Sequence, residues 1–189
     1  MMAIQRWQIV QWSTMIIGTA CGLILIFQGF DEESWWMAIR LTARTSCILF
    51  LLAFCASSCR RFKSTTFTNW LVGNRRYLGL SMAVSHGFHA IAIAGVAILT
   101  SENMVRGNHG ANLGYLFILL LTITSFERPA AILGRRNWRI LHTVGMYYLW
   151  LSFTVAFSEK LSESGGIYIP FVVSLILALC IRWIPKLKN

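Results

Sequence analysis

The sequence predicts an all-α membrane protein, a six-transmembrane-helix bundle with both termini cytoplasmic. Three observations carry that prediction. Of the 189 residues 56% are hydrophobic and only 13% charged, with a mean hydropathy of +0.60, a balance that suits lipid as solvent and leaves no soluble domain. Six long apolar stretches, separated by short polar segments, fill nearly the whole chain. The charged residues segregate by side: if the chain weaves six times, most cations fall on one face and six of the seven acids on the other.

The spans lie near residues 12–30, 38–58, 77–100, 112–126, 138–158 and 167–184. A hydrocarbon core of about 30 Å needs about 20 residues of helix, and backbone polar groups in lipid must be satisfied within the segment, so each span is read as a helix. The first follows Arg6 and Trp7 and opens at Trp12; with no A-x-A type cleavage site near Cys21 it is read as a retained helix rather than a signal peptide. The second carries Arg40 and Arg44, one turn apart near its exterior end. The third holds His86 and His89. The fourth is short, with room to run on towards Gly110 or Glu127, and Pro129 bars its continuation further. The fifth holds His142, and the sixth has Pro170 in its first turns, where a proline is tolerated. Residues 59–76 read as the longest cytoplasmic loop, and 101–111 and 158–166 as flexible exterior turns. Seven tryptophans near span ends read as interfacial belts.

The net charge of +10 would suggest nucleic acid in a soluble protein. Here Arg60, Arg61, Lys63, Arg75 and Arg76 follow span two, Arg128, Arg135, Arg136 and Arg139 follow span four, and Arg182, Lys186 and Lys188 close the chain. With Arg6 they define the cytoplasmic side, and their scatter over loops argues against nucleic acid. Asp31, Glu32, Glu33, Glu102, Glu159 and Glu163 fall opposite. The five cysteines lie in or at the ends of spans, so no exterior disulfide is expected, and Cys55-x3-Cys59 reads as packing.

Ionisable groups at membrane depth are costly and point to function. From a start near Tyr77, His86 lies about 14 Å and His89 about 18 Å along span three, while His142 lies about 6 Å past Trp138. Such imidazoles can ligate haem iron, with Gly87, Ala90, Ala92, Ala94 and Gly95 leaving room for a flat macrocycle. They can also serve as helix–helix hydrogen-bond partners packed by those same small residues. His86-x2-His89 as a metal site is a third reading. Arg40 and Arg44 either snorkel to headgroups or hold an anionic group such as a haem propionate. His109 reads as a solvated loop residue.

Arg75-Arg76-Tyr77-Leu78-Gly79-Leu80, followed nine residues later by His89, resembles the start of the third helix in ferric-reductase-like transmembrane proteins. Thr124-Ser125, Leu133-Gly134 and Trp138-Arg139-Ile140-Leu141-His142 are similar to that family's junction between helices four and five. The haem-binding membrane subunits of periplasmic methionine sulfoxide reductase systems, the MsrQ type, are the nearest likeness. The resemblance implies a single transmembrane domain over residues 1–189, in a bacterial inner membrane, carrying one b-type haem with His89 and His142 on the iron and His86 as an extra candidate. It implies electrons passing from a cytoplasmic flavoprotein or quinol to an exterior acceptor. Without a G-x-G-x-x-G nucleotide fingerprint, the donor is a partner reductase or the quinone pool, quinone being the second cofactor to consider. The chain departs from the pattern at Val155, where such proteins carry another histidine. That departure motivates the alternative: a non-catalytic integral membrane subunit of a larger complex, with the bundle kept and full haem ligation lost.

Overall fold

The computed structural model describes residues 6–101 and 109–184. Glu102, Arg106, Lys186 and Lys188 lie outside the described residues, as do the side chains of 162–165, Glu163 among them. Among the described residues there are six α-helices and no strand: α1 (Trp7–Gln28), α2 (Glu32–Phe62), α3 (Thr66–Thr100), α4 (His109–Ile123), α5 (Glu127–Ser164) and α6 (Ile169–Trp183), with a one-turn 3-10 helix (Gly165–Tyr168) before α6. Five of the six are long and apolar enough to cross a membrane. Large apolar side chains stand in the open, with Phe27 80% and Ile98 79% exposed, as helices solvated by lipid require. The chain is a multi-pass membrane protein. Helices α4 and α6 each have 15 residues, a rise of about 22 Å, and α6 reaches spanning length with the turn before it, as Gly166–Trp183.

Local chemistry sets the helix ends. The Gly29 amide, at φ 98°, donates to the Leu25 carbonyl and closes α1. Asp31 accepts from the Ser34 amide at 2.9 Å and caps α2. Thr65 and Thr68 cap α3 reciprocally, each hydroxyl accepting from the other's amide. Pro170 stands at the second position of α6, where its missing N–H costs nothing.

Four connections differ from the sequence reading. The expected loop 59–76 is helical except for residues 63–65. Arg60 and Arg61 sit well in the last turn of α2, where cations favour the negative end of the helix dipole, and α3 starts eleven residues before Tyr77. The expected turn 158–166 is helix as far as Ser164. His109 opens α4, exposed as expected but on a helix. Between the fourth and fifth spans, Glu127–Leu133 forms a short helix of its own. Gly134, at φ 76° and ψ 156°, breaks it from the spanning part of α5, a conformation that glycine tolerates and other residues resist.

The chain divides into two compact units. The first joins Met1–Phe50 to Tyr77–His109, and so holds α1, the first part of α2 and most of α3. Its buried residues include Ile17, Cys47, Phe50, Leu78 and Val96, together with Ser34, Thr42, Ser46, Ser81 and Ser85. The second joins Leu51–Arg76 to Gly110–Asn189, with Phe54, Leu121, Leu149, Phe153, Phe157 and Leu175 buried. In this unit the Arg182 guanidinium donates to the Phe54 carbonyl at 2.9 Å and to the Tyr147 hydroxyl at 3.2 Å, and lies 4.3 Å from the Phe54 ring centroid. Packed and hydrogen-bonded in this way, it ties α6 to α2 and α5. All five cysteines are free.

Candidate functional site

In the first unit α2 and α3 meet along a seam of hydroxyls. Thr42, Ser46 and Ser85 are fully buried, so each must find an internal partner. Ser46 donates to Ser85 Oγ at 2.9 Å, Ser85 donates to the Thr42 carbonyl at 3.2 Å, and Thr45 and Ser85 share a 2.8 Å bond. His89 ends this seam. Its Nδ1 lies 3.2 Å from the Ile39 carbonyl and 3.0 Å from Thr42 Oγ1, whose own proton goes to the Ala38 carbonyl at 2.7 Å.

These partners assign the tautomer. A carbonyl only accepts, and a hydroxyl that has spent its proton also accepts, so His89 Nδ1 carries the hydrogen. The lone pair is then on Nε2, which makes no hydrogen bond among the described residues. An Nδ1–H held by a backbone carbonyl is the usual support of a metal-ligating imidazole.

The His86 ring is one turn away, 5.0 Å between centroids at 32°. Two adjacent rings on one helix cannot take opposite faces of one macrocycle, so His86 and His89 do not form an axial pair. The small residues of α3 divide. A Cβ at Gly95 would overlap the Trp35 ring, and Ala92 is buried at 2% exposure, so neither leaves space. Gly79 and Gly87 would meet nothing, and Ala83, Ala90 and Ala94 continue their face at helical spacing. Arg40 is exposed and Arg44 half-buried, on the helix that supplies Thr42.

His142 belongs to the second unit and sits differently. Thr124 donates its hydroxyl proton to the Leu120 carbonyl at 2.6 Å, so at 3.1 Å it accepts from His142 Nε2. The Trp138 indole donates to the Thr124 carbonyl at 2.8 Å and stacks on the His142 ring at 4.2 Å. In this arrangement Nε2 is the protonated nitrogen, occupied within the protein. Val155 is 48% exposed.

The structure thus gathers His86, His89, Arg40 and Arg44 in one unit and His142 in the other. The donor groups fit an axial imidazole at His89, and His142 as it stands does not offer its Nε2. Among the described residues no group of three or more His, Cys, Asp or Glu could hold a metal ion. The sequence reading used Thr124 only as part of the junction motif and did not name Thr42, yet these two residues decide both tautomers. A threonine inside an apolar span must find a partner, and that was the available signal. No protein-family model matches this chain, and no curated protein or solved structure is significantly similar to it.

Proposed function

We propose that this protein is a membrane b-type haem protein in which His89 Nε2 is an axial ligand, and that it passes electrons from a cytoplasmic flavoprotein or quinol to an exterior acceptor. The observation that carries the reading is the Nδ1–H of His89, held by the Ile39 carbonyl and Thr42 so that Nε2 keeps its lone pair. When bound, haem supplies one-electron redox chemistry that no side chain here offers. The chain's own part is to fix the imidazole, to offer a face of small residues on α3 for close approach, and to place Arg40 and Arg44 where they can pair with carboxylates. The basic residues between the spans support an orientation with both termini cytoplasmic.

A second reading, a non-catalytic membrane subunit, is favoured by the occupied Nε2 of His142 and by Val155. One measurement separates the two. Protein purified from haem-supplied cells and reduced with dithionite should show a Soret band and a sharp alpha band, both lost in His89→Ala. A colourless wild-type preparation sinks the redox reading and leaves the subunit reading.

A further inference from the structure

The junction between α4 and α5 is a built elbow. Its short helix, residues 127–133, ends at the left-handed Gly134. Thr124 ties the elbow closed, accepting from Trp138 at its carbonyl and from His142 at its hydroxyl. Its outer side is unusual in composition. Ile132 is 88% exposed, the most open large apolar side chain among the described residues, and Phe126 is 40% exposed. Around them Arg128, Arg135, Arg136 and Arg139 are all exposed, and none makes a hydrogen bond or ion pair among the described residues. The one acid in this stretch is Glu127.

Four exposed arginines within seven residues of a protruding isoleucine suit neither bulk water, which leaves the isoleucine bare, nor hydrocarbon, which excludes the charges. They suit the boundary between the two. There an apolar side chain reaches the acyl layer, while arginines meet phosphate with planar, bidentate geometry. We infer that the elbow 126–139 docks on anionic phospholipid headgroups, with Ile132 inserted into the acyl boundary and Arg128, Arg135 and Arg136 on phosphates. The sign of the charge selects anionic over zwitterionic lipid. The exposed isoleucine selects a bilayer surface over free phosphate or an acidic protein.

Hydrogen–deuterium exchange of the full chain tests this in two nanodiscs, one of phosphatidylcholine and one with about one-third phosphatidylglycerol. Amides of 126–134 should exchange about tenfold more slowly in the anionic bilayer, while those of α6 are unchanged. Arg128→Gln, Arg135→Gln and Arg136→Gln together should erase the difference, and Ile132→Asp alone should reduce it with the arginines intact. Circular dichroism checks that each variant keeps its helix content; should the triple variant not fold, the wild-type lipid comparison and Ile132→Asp decide. Equal exchange in both bilayers overturns the inference. So does equal slowing by soluble glycerol phosphate in phosphatidylcholine, or slowing seen only with a co-purified acidic protein. Undiminished slowing in Ile132→Asp removes the inserted side chain.

Discussion

His89 and His142 are both half-buried imidazoles on long helices, and both contact a threonine, yet they present opposite nitrogens. At His89 the threonine and a backbone carbonyl face Nδ1, which leaves Nε2 with its lone pair. At His142 the threonine faces Nε2, and a tryptophan stacks on the ring. In each case the threonine proton is already committed to a carbonyl four residues back in the chain. The hydroxyl is therefore an acceptor, and whichever ring nitrogen it meets becomes the donor. The difference teaches that a threonine whose proton is already committed decides which imidazole nitrogen keeps its lone pair, Nε2 at His89 and Nδ1 at His142.

The largest expected effect tests that difference directly. His89→Ala should abolish the dithionite-reduced haem spectrum, whereas His142→Ala should keep most of it. Loss in His142→Ala with retention in His89→Ala would reverse the assignment.

Next in size is packing around the two histidines. Gly95→Ala drives a Cβ into the Trp35 ring and should lower stability by about 1–3 kcal/mol, read by thermal unfolding in detergent. In the second unit Gly145→Ala meets Leu121 and Phe117 at 3.1 Å, and a leucine that can turn should make the loss smaller. Gly87→Ala meets nothing and should be close to neutral for stability. Equal melting temperatures for all three would show that the first unit is not rigidly packed beside His89.

The threonines come third. Thr42→Val should weaken haem retention about tenfold by loosening the Nδ1–H support. Thr124→Val should leave retention intact and cost about 0.6 kcal/mol of stability, the usual worth of an interhelical hydrogen bond in a membrane. Nitrogen-15 NMR of the imidazoles should find Nδ1 protonated at His89 and Nε2 protonated at His142. The same tautomer at both would break the comparison.

The smallest effect lies at the start of α2, the helix that carries Thr42. Hydrogen bonds from the Ser34 side chain and amide hold the Asp31 carboxyl below its usual range. A lowered value in the folded state means stability that is present above the unfolded value and lost as pH falls through the folded one. Asp31→Ala should therefore melt slightly lower than wild type at neutral pH, and the gap should close under acid. A gap that widens under acid would contradict the cap.

Much of the fold was legible because it follows from local chemistry. Span one, expected at 12–30, is Trp7–Gln28, and span six, expected at 167–184, is Ile169–Trp183. The misreadings share a cause. Residues 59–76 are basic and rich in Ser and Thr, a composition that serves a loop or a capped helix end equally well. Gly134 sits inside a helical pattern, and a single glycine there does not announce its φ. At the site, the sequence placed three imidazoles at membrane depth and could not say what they touch. Gly95 looked like open space of the same kind as Gly87 until Trp35 was found against it.

By itself the sequence determined the solvent and the position of the apolar helices, because apolar run length and backbone satisfaction in lipid are properties of a single segment. It also put three imidazoles inside the apolar spans. The tertiary structure alone decided which nitrogen of His89 and of His142 keeps its lone pair. Thr42 and the Ile39 carbonyl reach His89 across 47 and 50 residues of chain. A hydrogen bond of about 3 Å, unlike an apolar stretch, exists only where two helices bring donor and acceptor together.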